Sequence, residues 1–503
     1  MERSPRPPLE APGGPALVRW LAAEPGVRDR VLTDGVHTVS YAEAAGLLDR
    51  FDERLARLGV AFRHPVAVEC SQTVAGALAI LHLLSRAYDV VLLPELGSAK
   101  ESGTPRFIPR FCSHVVTAPA PASRARAGAD LVEEGLVIAA NDGFVEEPAV
   151  TAFTGGPDLY LRTSGSTGVP KLTRMSHQRW LDNALACNER WRLTGEDRLS
   201  VPVPIFHSYG FGAAFLPGLL AGAAMDVGSG GNILRYLERE ERFQPNVAFL
   251  TPALCDQFLT VRKTPRPYRL AVTAGDKIKR ETMAAFEPRF GPLLNLYGSA
   301  EMGAVSSAAP DDPPDRRLAT AGYPLAGIEL TVEETGEDLE TAPGDRAGRL
   351  LCRQRNGSSG YLVLDGGWRF EPRGDDDWFS TGDLARIRAE GYVEILGRSG
   401  LSVKRDGLLV VFADVEAAVE RVEGIQRAVV VAEGESRRGP RLVAVCLPSD
   451  SAGPRPEAVR QRCFDLLPRY AVPDEVLIVD SLPQLPSGKV DRRAVRELAK
   501  NAI

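Results

Sequence analysis

The sequence predicts an α/β protein: doubly wound, mostly parallel sheets with helices on both faces, followed by a smaller α+β domain. Three observations lead there. Short apolar runs alternate with amphipathic stretches of helical period over roughly the first 300 residues, the pattern of sheets packed between helices. The 503 residues exceed what one hydrophobic core supports, so at least two domains are expected. From about Leu401 the order becomes strand, helix, strand, strand, helix, strand, a unit of about a hundred residues and an ordinary domain size.

Taken in order, Ala16–Ala23 carries apolar residues at helical spacing, and Thr38–Ser40 reads as a short strand. Ser40 and Glu43 form a Ser-x-x-Glu capping box. It opens a helix over Tyr41–Leu58 with Ala45, Leu48, Phe51, Leu55 and Leu58 on one face. Strand Val66–Val68, helix Val74–Arg86 and strand Val90–Leu93 follow, then strands Leu199–Val203, Val247–Leu250, Leu270–Thr273 and Leu293–Leu296. Thr251-Pro252 is a helix entry, a capping hydroxyl before a first-turn proline. In the small domain the spacing predicts helix Asp414–Val422, strands Ala428–Ala432 and Leu442–Leu447, helix Pro456–Leu467 and strand Val476–Val479. Doubly wound sheets bind ligands at the carboxyl ends of their strands, so the loops after the strands are the places to look.

Composition narrows the function. Hydrophobic content of 44% and charged content of 25% are those of an ordinary globular protein. A net charge of −6 without a basic run gives no case for nucleic-acid binding. Seven cysteines are scattered without a CxxC pair, and Cys112 with His114 falls short of a zinc site. They read as reduced thiols of a cytoplasmic protein. The Pro-rich opening MERSPRPPLEAPGG lacks the apolar core of a signal peptide, and no apolar run approaches a membrane span.

The chemistry concentrates in one stretch. Leu159–Leu161 reads as the end of a buried strand, followed by Thr163-Ser164-Gly165-Ser166-Thr167-Gly168-Val169-Pro170-Lys171. Glycines let backbone N–H groups wrap an anion, hydroxyls add donors, and Lys171 adds a compact charge. The composition suits nucleotide phosphates. It is not the common phosphate loop, whose glycines stand five apart and whose lysine precedes Ser/Thr at a helix start. The string resembles the phosphate loop of the adenylate-forming superfamily, which contains acyl-CoA synthetases, luciferases and the adenylation domains of peptide synthetases.

Further motifs appear in that family's order, from about residue 35 to 495. Phe206-His207-Ser208-Tyr209-Gly210 follows the strand at 199–203, and the resemblance puts His207 at the carboxylate entry. Ala274-Gly275-Asp276-Lys277 matches the loop against adenine. In Tyr297-Gly298-Ser299-Ala300-Glu301 the resemblance assigns Tyr297 to the base and Glu301 to Mg²⁺, with Ala300 where the family usually has threonine. Ala321–Pro324 and Gly348–Leu350 are weaker landmarks. Within Trp378–Asp383 the resemblance gives Asp383 the ribose hydroxyls, and Arg398 a place near ribose or phosphate. Gly400 falls where the family has a charged hinge residue, and Leu409 where arginine is common. Leu482–Arg493 resembles the carboxy-terminal signature, whose lysine, here Lys489, bridges substrate carboxylate and ATP phosphate.

The resemblance therefore implies a large domain over 1–398 with a small barrel-like part, a hinge at 399–400 and a lid over 401–503. It implies ATP and Mg²⁺, and a reaction in two halves: a carboxylate attacks the α-phosphate of ATP, then a thiol captures the acyl group. Phe206, His207, Tyr209, Gly210, Ala274, Ser299 and Ala300 are the expected substrate pocket. No acid in the Phe206–Gly210 loop faces an ammonium, so an aryl or medium acyl acid is expected over an α-amino acid. With no carrier domain after Arg492, the thiol is expected in trans, a carrier protein's phosphopantetheine before free CoA. The rival readings are a different second step, amide formation or oxidation, and a nucleotide-binding protein that has lost turnover.

Overall fold

The computed structural model describes residues 14–61, 64–94, 107–119, 130–147, 150, 156–162, 171–334, 341–364, 367–398, 400–405, 408–436, 439–450, 453–485 and 490–502. They pack as two compact units. One is built from Met1–Glu101, Pro105–Glu329 and Arg353–Asp377, the other from Ser102–Thr104, Leu330–Cys352 and Trp378–Ile503.

Among the described residues the first unit holds two mixed sheets. In one, the strands Leu293–Ser299, Leu270–Thr273, Val247–Leu250, Arg198–Ser200, Ala224–Asp226 and Val31–Thr33 are neighbours in that order and all parallel. Antiparallel strands Thr38–Ser40 at one end, and Gly303–Ser307 with Tyr323–Pro324 at the other, complete it. The other sheet has a parallel centre, Asp158–Arg162, Val90–Pro94, Val66–Cys70 and His114–Ala118. Antiparallel strands flank it, among them Lys171–Ser176 and Gly360–Leu364. Val247–Leu250 and Leu270–Thr273 are buried at every position, as parallel strands covered on both faces must be.

The helices follow their sequence signals. Ser40 Oγ accepts from the Glu43 N–H and the Ser40 N–H donates to Glu43 Oε2 at 2.8 Å, the expected capping box. The helix runs Tyr41–Arg57, with Ala44 rather than Ala45 on the buried face, and Leu58 becomes its exposed C-cap. Helix Val74–Ser85 is buried along its whole length, so it has no polar face to show. It joins Tyr41–Arg57, His177–Trp191 and strands of both sheets in one apolar cluster.

In the first sheet two expected strands change length. The first ends at Ser200, because Val201–Pro204 turns toward the following loop. Leu293–Ser299 runs past Leu296 because it folds back as a hairpin on Gly303–Ser307.

The second unit carries a four-stranded sheet in the order Ile328–Glu333, Arg346–Gln354, Phe379–Ile387 and Val393–Arg398, antiparallel in its last two pairings, where a small barrel-like part of the large domain was expected. It continues into the expected α+β arrangement. Strands Ile425–Ser436, Gly439–Pro448 and Glu475–Ile478 pack with helices Phe412–Val419, Pro456–Leu466 and Arg492–Ala502. The first two strands outrun the expected Ala428–Ala432 and Leu442–Leu447 because their hairpin pairing continues to Ser436↔Gly439.

A fully buried guanidinium braces this fold. Arg405 donates to both Asp474 oxygens at 2.7 and 2.8 Å and to the Val472 carbonyl at 3.0 Å. Arg405→Ala leaves the Asp474 carboxylate without its counter-charge, and is expected to destabilise this unit by about 3–5 kcal/mol in denaturant unfolding.

Candidate active site

The parallel strands Leu293–Ser299, Leu270–Thr273, Val247–Leu250 and Arg198–Ser200 are adjacent, so the loops at their carboxyl ends share one edge of the sheet. That edge gathers Phe206, His207, Tyr209 and Gly210, then Ala274–Lys277, then Tyr297–Glu301. Residues up to a hundred positions apart in sequence are thus brought to a single rim.

The 204–210 loop is tightly built. The His207 N–H donates to the Pro204 carbonyl at 3.1 Å, and the His207 carbonyl accepts from the Phe211 N–H at 2.8 Å. The imidazole lies 4.6 Å from the Phe206 ring, centre to centre. Gly210 is required by close approach, since a Cβ there would stand 2.1 Å from the Pro204 carbonyl oxygen. A π-helical turn over Tyr209–Phe215 follows, a geometry common at functional sites. The Tyr209 hydroxyl is directed at the Leu250 and Val272 carbonyls, at 3.1 and 2.8 Å, and burial pushes its pKa up. Its hydroxyl is thus taken up by main-chain carbonyls.

Further along the rim, an added Cβ on Gly275 would meet no atom within 4 Å, so the backbone there borders open space. Asp276 and Lys277 are exposed beside it, with Asp276 Oδ1 accepting from the Lys277 N–H at 2.8 Å. The register shifts between Tyr297 and Gly298, and Ser299 Oγ accepts from the Met302 N–H at 3.2 Å. The turn so formed presents Ala300 and Glu301, both half-buried.

Thr163, Ser164, Gly165, Ser166, Thr167 and Gly168 lie outside the described residues; their flanks do not. Asp158–Arg162 and Lys171–Ser176 pair antiparallel, Arg162 opposite Leu172, and Lys171 opens a strand rather than a helix. On the next strand Tyr361 stands opposite Thr173, its ring 5.8 Å from Lys171 Nζ, and its hydroxyl donates to Glu301 Oε1 at 3.3 Å. Burial, then the charge of Glu301, raise the Tyr361 pKa and keep it a donor. The Ser358 N–H donates to the Glu301 carbonyl at 2.7 Å, tying the same segment to the Glu301 turn. Tyr361 was not singled out by sequence reasoning.

One carboxylate suits Mg²⁺ better than a cage would. Among the described residues no cluster of three metal-ligating side chains occurs. Mg²⁺ is commonly held by one or two carboxylates together with substrate phosphates and water, and Glu301 on an open rim fits that pattern.

In the second unit Asp383 lies inside the strand Phe379–Ile387, opposite Arg398. Gly382 takes φ +73, the register shifts just beyond, and Arg398 Nε meets Asp383 Oδ1 at 3.1 Å. The Asp383 N–H donates to Thr381 Oγ1 at 3.1 Å, fixing the turn of the chain, while the Arg398 side chain is 60% exposed. Lys489 lies outside the described residues.

The comparisons with known proteins agree with this layout. Residues 159–362 match the family described as AMP-binding enzyme, and 414–489 match the AMP-binding enzyme C-terminal domain. The chain belongs to the adenylate-forming superfamily. It is 25% identical over 487 residues to indoleacetate–CoA ligase of Aromatoleum aromaticum, covering 92% of this chain and 93% of that one. It is 26% identical over 364 residues to the salicylyl-CoA synthase / salicylate adenylyltransferase of a Streptomyces species, covering 69% of this chain and 64% of the relative. It thus spans just under two thirds of that relative's length. In fold it is similar to o-succinylbenzoate coenzyme A synthetase of Bacillus subtilis in complex with ATP and magnesium ion, with TM-score 0.73, 19% identity and coverage of 96% and 99%. Among the described residues no helix is long and apolar enough to cross a membrane.

Proposed function

We propose that the protein is an ATP- and Mg²⁺-dependent acid–thiol ligase that converts a carboxylic acid to its acyl-adenylate and then to a thioester. The observation that carries this reading is the linkage of Lys171, at the end of the phosphate-loop hairpin, to Glu301 through Tyr361. It supports the reading of Lys171 as a cation for phosphate and of Glu301 as a carboxylate for a hard metal, since one side chain touches both.

The reaction asks mainly for positioning and charge control. A carboxylate oxygen forms a bond to the α-phosphorus and pyrophosphate leaves. A thiol sulfur then forms a bond to the acyl carbon and AMP leaves. Bound Mg²⁺ supplies charge neutralisation on the phosphates. Residues 163–168 and Lys171 hold those phosphates, Gly275–Lys277, Tyr297 and Gly298 hold the base, and Asp383 takes the ribose hydroxyls with Arg398 beside it. His207, with the rings of Phe206 and Tyr209 and with Gly210, Ala274, Ser299 and Ala300, receives the acid. Lys489 spans carboxylate and phosphate from the lid, 401–503, which turns about 399–400.

The substrate we propose is an aryl or medium acyl acid, a choice the names of the aryl-acid relatives support. CoA and a carrier protein both end in a pantetheine thiol, and the reading commits to that thiol. The CoA-ligase names of the relatives favour CoA more than the sequence alone did.

The test is acid-dependent exchange of labelled pyrophosphate into ATP over a panel of aryl, alkyl and amino acids, followed by mass spectrometry of products with CoA and with carrier proteins. Exchange that requires Mg²⁺ and falls with Glu301→Gln and Asp383→Ala is expected. Unchanged exchange in either variant would show that the nucleotide is misplaced. An amide or an oxidised product in place of a thioester would overturn the second half.

A further inference from the structure

The geometry points to Tyr361 as a positioning residue: its hydroxyl aims the Glu301 carboxylate and its ring face seats the Lys171 ammonium, so the two charges facing the triphosphate are set relative to each other by one side chain. The inference rests on the reading of Glu301 as the Mg²⁺ ligand and goes beyond it.

Three strands make the arrangement rigid. Tyr361 lies on Gly360–Leu364, between Lys171–Ser176 and Trp368–Pro372, with paired neighbours on both sides. Its ring lies 5.8 Å from the lysine nitrogen, within cation–π range, and its hydroxyl reaches Glu301 Oε1 at 3.3 Å. The segment before it is latched to the Glu301 turn from the main chain. The Ser358 N–H donates to the Glu301 carbonyl at 2.7 Å, and Gln354 Nε2 donates to the Met302 carbonyl. Arg179 adds a bond to the Gly357 carbonyl at 2.8 Å. A carboxylate on an open turn samples several rotamers; a hydroxyl on one oxygen selects the rotamer that turns the other toward the metal. The same residue therefore serves two charges by different parts, which lets them be separated by substitution.

The test measures binding without turnover. Mn²⁺ affinity for the enzyme is followed by electron paramagnetic resonance with α,β-methylene-ATP present and no acid. Affinity for the analogue alone is followed calorimetrically in EDTA. Tyr361→Phe keeps the ring, and is expected to weaken Mn²⁺ about 3- to 10-fold while leaving metal-free analogue binding within about twofold. Tyr361→Leu removes the ring as well, and is expected to weaken metal-free analogue binding too, by about 3- to 10-fold. Glu301→Gln should abolish the tight Mn²⁺ site. If Glu301→Gln does so while Tyr361→Phe binds Mn²⁺ like wild type, the role of Tyr361 is overturned and that of Glu301 stands. If Glu301→Gln binds Mn²⁺ like wild type, the reading of Glu301 fails and the inference fails with it. Loss of melting temperature and of both affinities together in Tyr361→Phe would mean that the tyrosine only supports the fold.

Discussion

Lys489→Ala is expected to lower acid-dependent pyrophosphate exchange by about 10²-fold or more, the scale for removing an electrostatic stabiliser of a transition state. It is expected to leave thioester formation from supplied acyl-adenylate within a few fold of wild type. The reason is the division of labour in the proposed reaction. In the first half charge builds on the α-phosphate between the attacking carboxylate and the leaving pyrophosphate, where a bridging lysine would neutralise it. In the second the reacting centre is the acyl carbon, and in the proposed cycle the lid that carries the lysine has turned away. The base of the loop that carries Lys489 is fixed independently of the lysine, so the variant should fold. Gln484 bridges Val490, and the Asp491 N–H donates to the Pro483 carbonyl at 2.8 Å. Asp491 Oδ1 accepts from the Arg493 and Ala494 N–H groups at 3.0 and 3.1 Å at the start of the last helix. Arg492 pairs with the buried Glu416 at 2.8 Å and donates to the Val430 carbonyl at 3.1 Å. Burial raises the Glu416 pKa against the pull of Arg492. Quenched-flow exchange and capture of synthetic acyl-adenylate measure the two halves separately. Equal loss in both would assign Lys489 to the fold.

The anchoring also shows what could be read from sequence and what could not. Val247–Leu250 and Leu270–Thr273 match their expected bounds because each is an uninterrupted apolar run closed by a cap or a turn. Lys171–Ser176 carries no such mark. Its Thr173 and Arg174 are buried, and Arg174 is tolerated there because Asp158 pairs with it and the Phe370 ring lies against it. A polar residue that becomes a core residue through a partner looks like a loop until the partner is known. The same reason hid Tyr361, which meets Glu301 across 60 positions and Lys171 through a neighbouring strand. The rim was more legible, since parallel strands put consecutive loops on one edge by topology alone. His207, Gly275 and Tyr297 were found in the motifs after those strands, and the strand order brings them to one edge. What topology could not supply is orientation: the Tyr209 hydroxyl turns away to the Leu250 and Val272 carbonyls.

Gly400→Pro is expected to do the reverse of Lys489→Ala, lowering thioester formation from supplied acyl-adenylate by about tenfold or more and leaving pyrophosphate exchange within a few fold. The expectation follows from what the structure does not ask of Gly400. Its φ lies outside the left-handed range, and an added Cβ would meet no atom within 4 Å, so this conformation has no steric need for glycine. The flanking backbone is fastened: the Leu401 N–H donates to the Arg398 carbonyl at 2.8 Å and the Phe412 N–H to the Leu401 carbonyl at 2.9 Å. Gly397, three residues earlier, has a Cβ position only 3.0 Å from Val411 Cγ1 and leaves little room. Gly400, with no Cβ of its own, can take up the backbone change that a rotating lid would need. Gly400→Ala fits the described pose and still allows both extended and helical φ, so it should keep the melting temperature and lose less than tenfold in either half. Proline fixes φ near about −65° and removes that choice. Thioester capture by the alanine variant as slow as by the proline variant would mean that the position needs glycine for some reason other than motion. Unchanged capture by the proline variant would place the moving joint elsewhere in the chain.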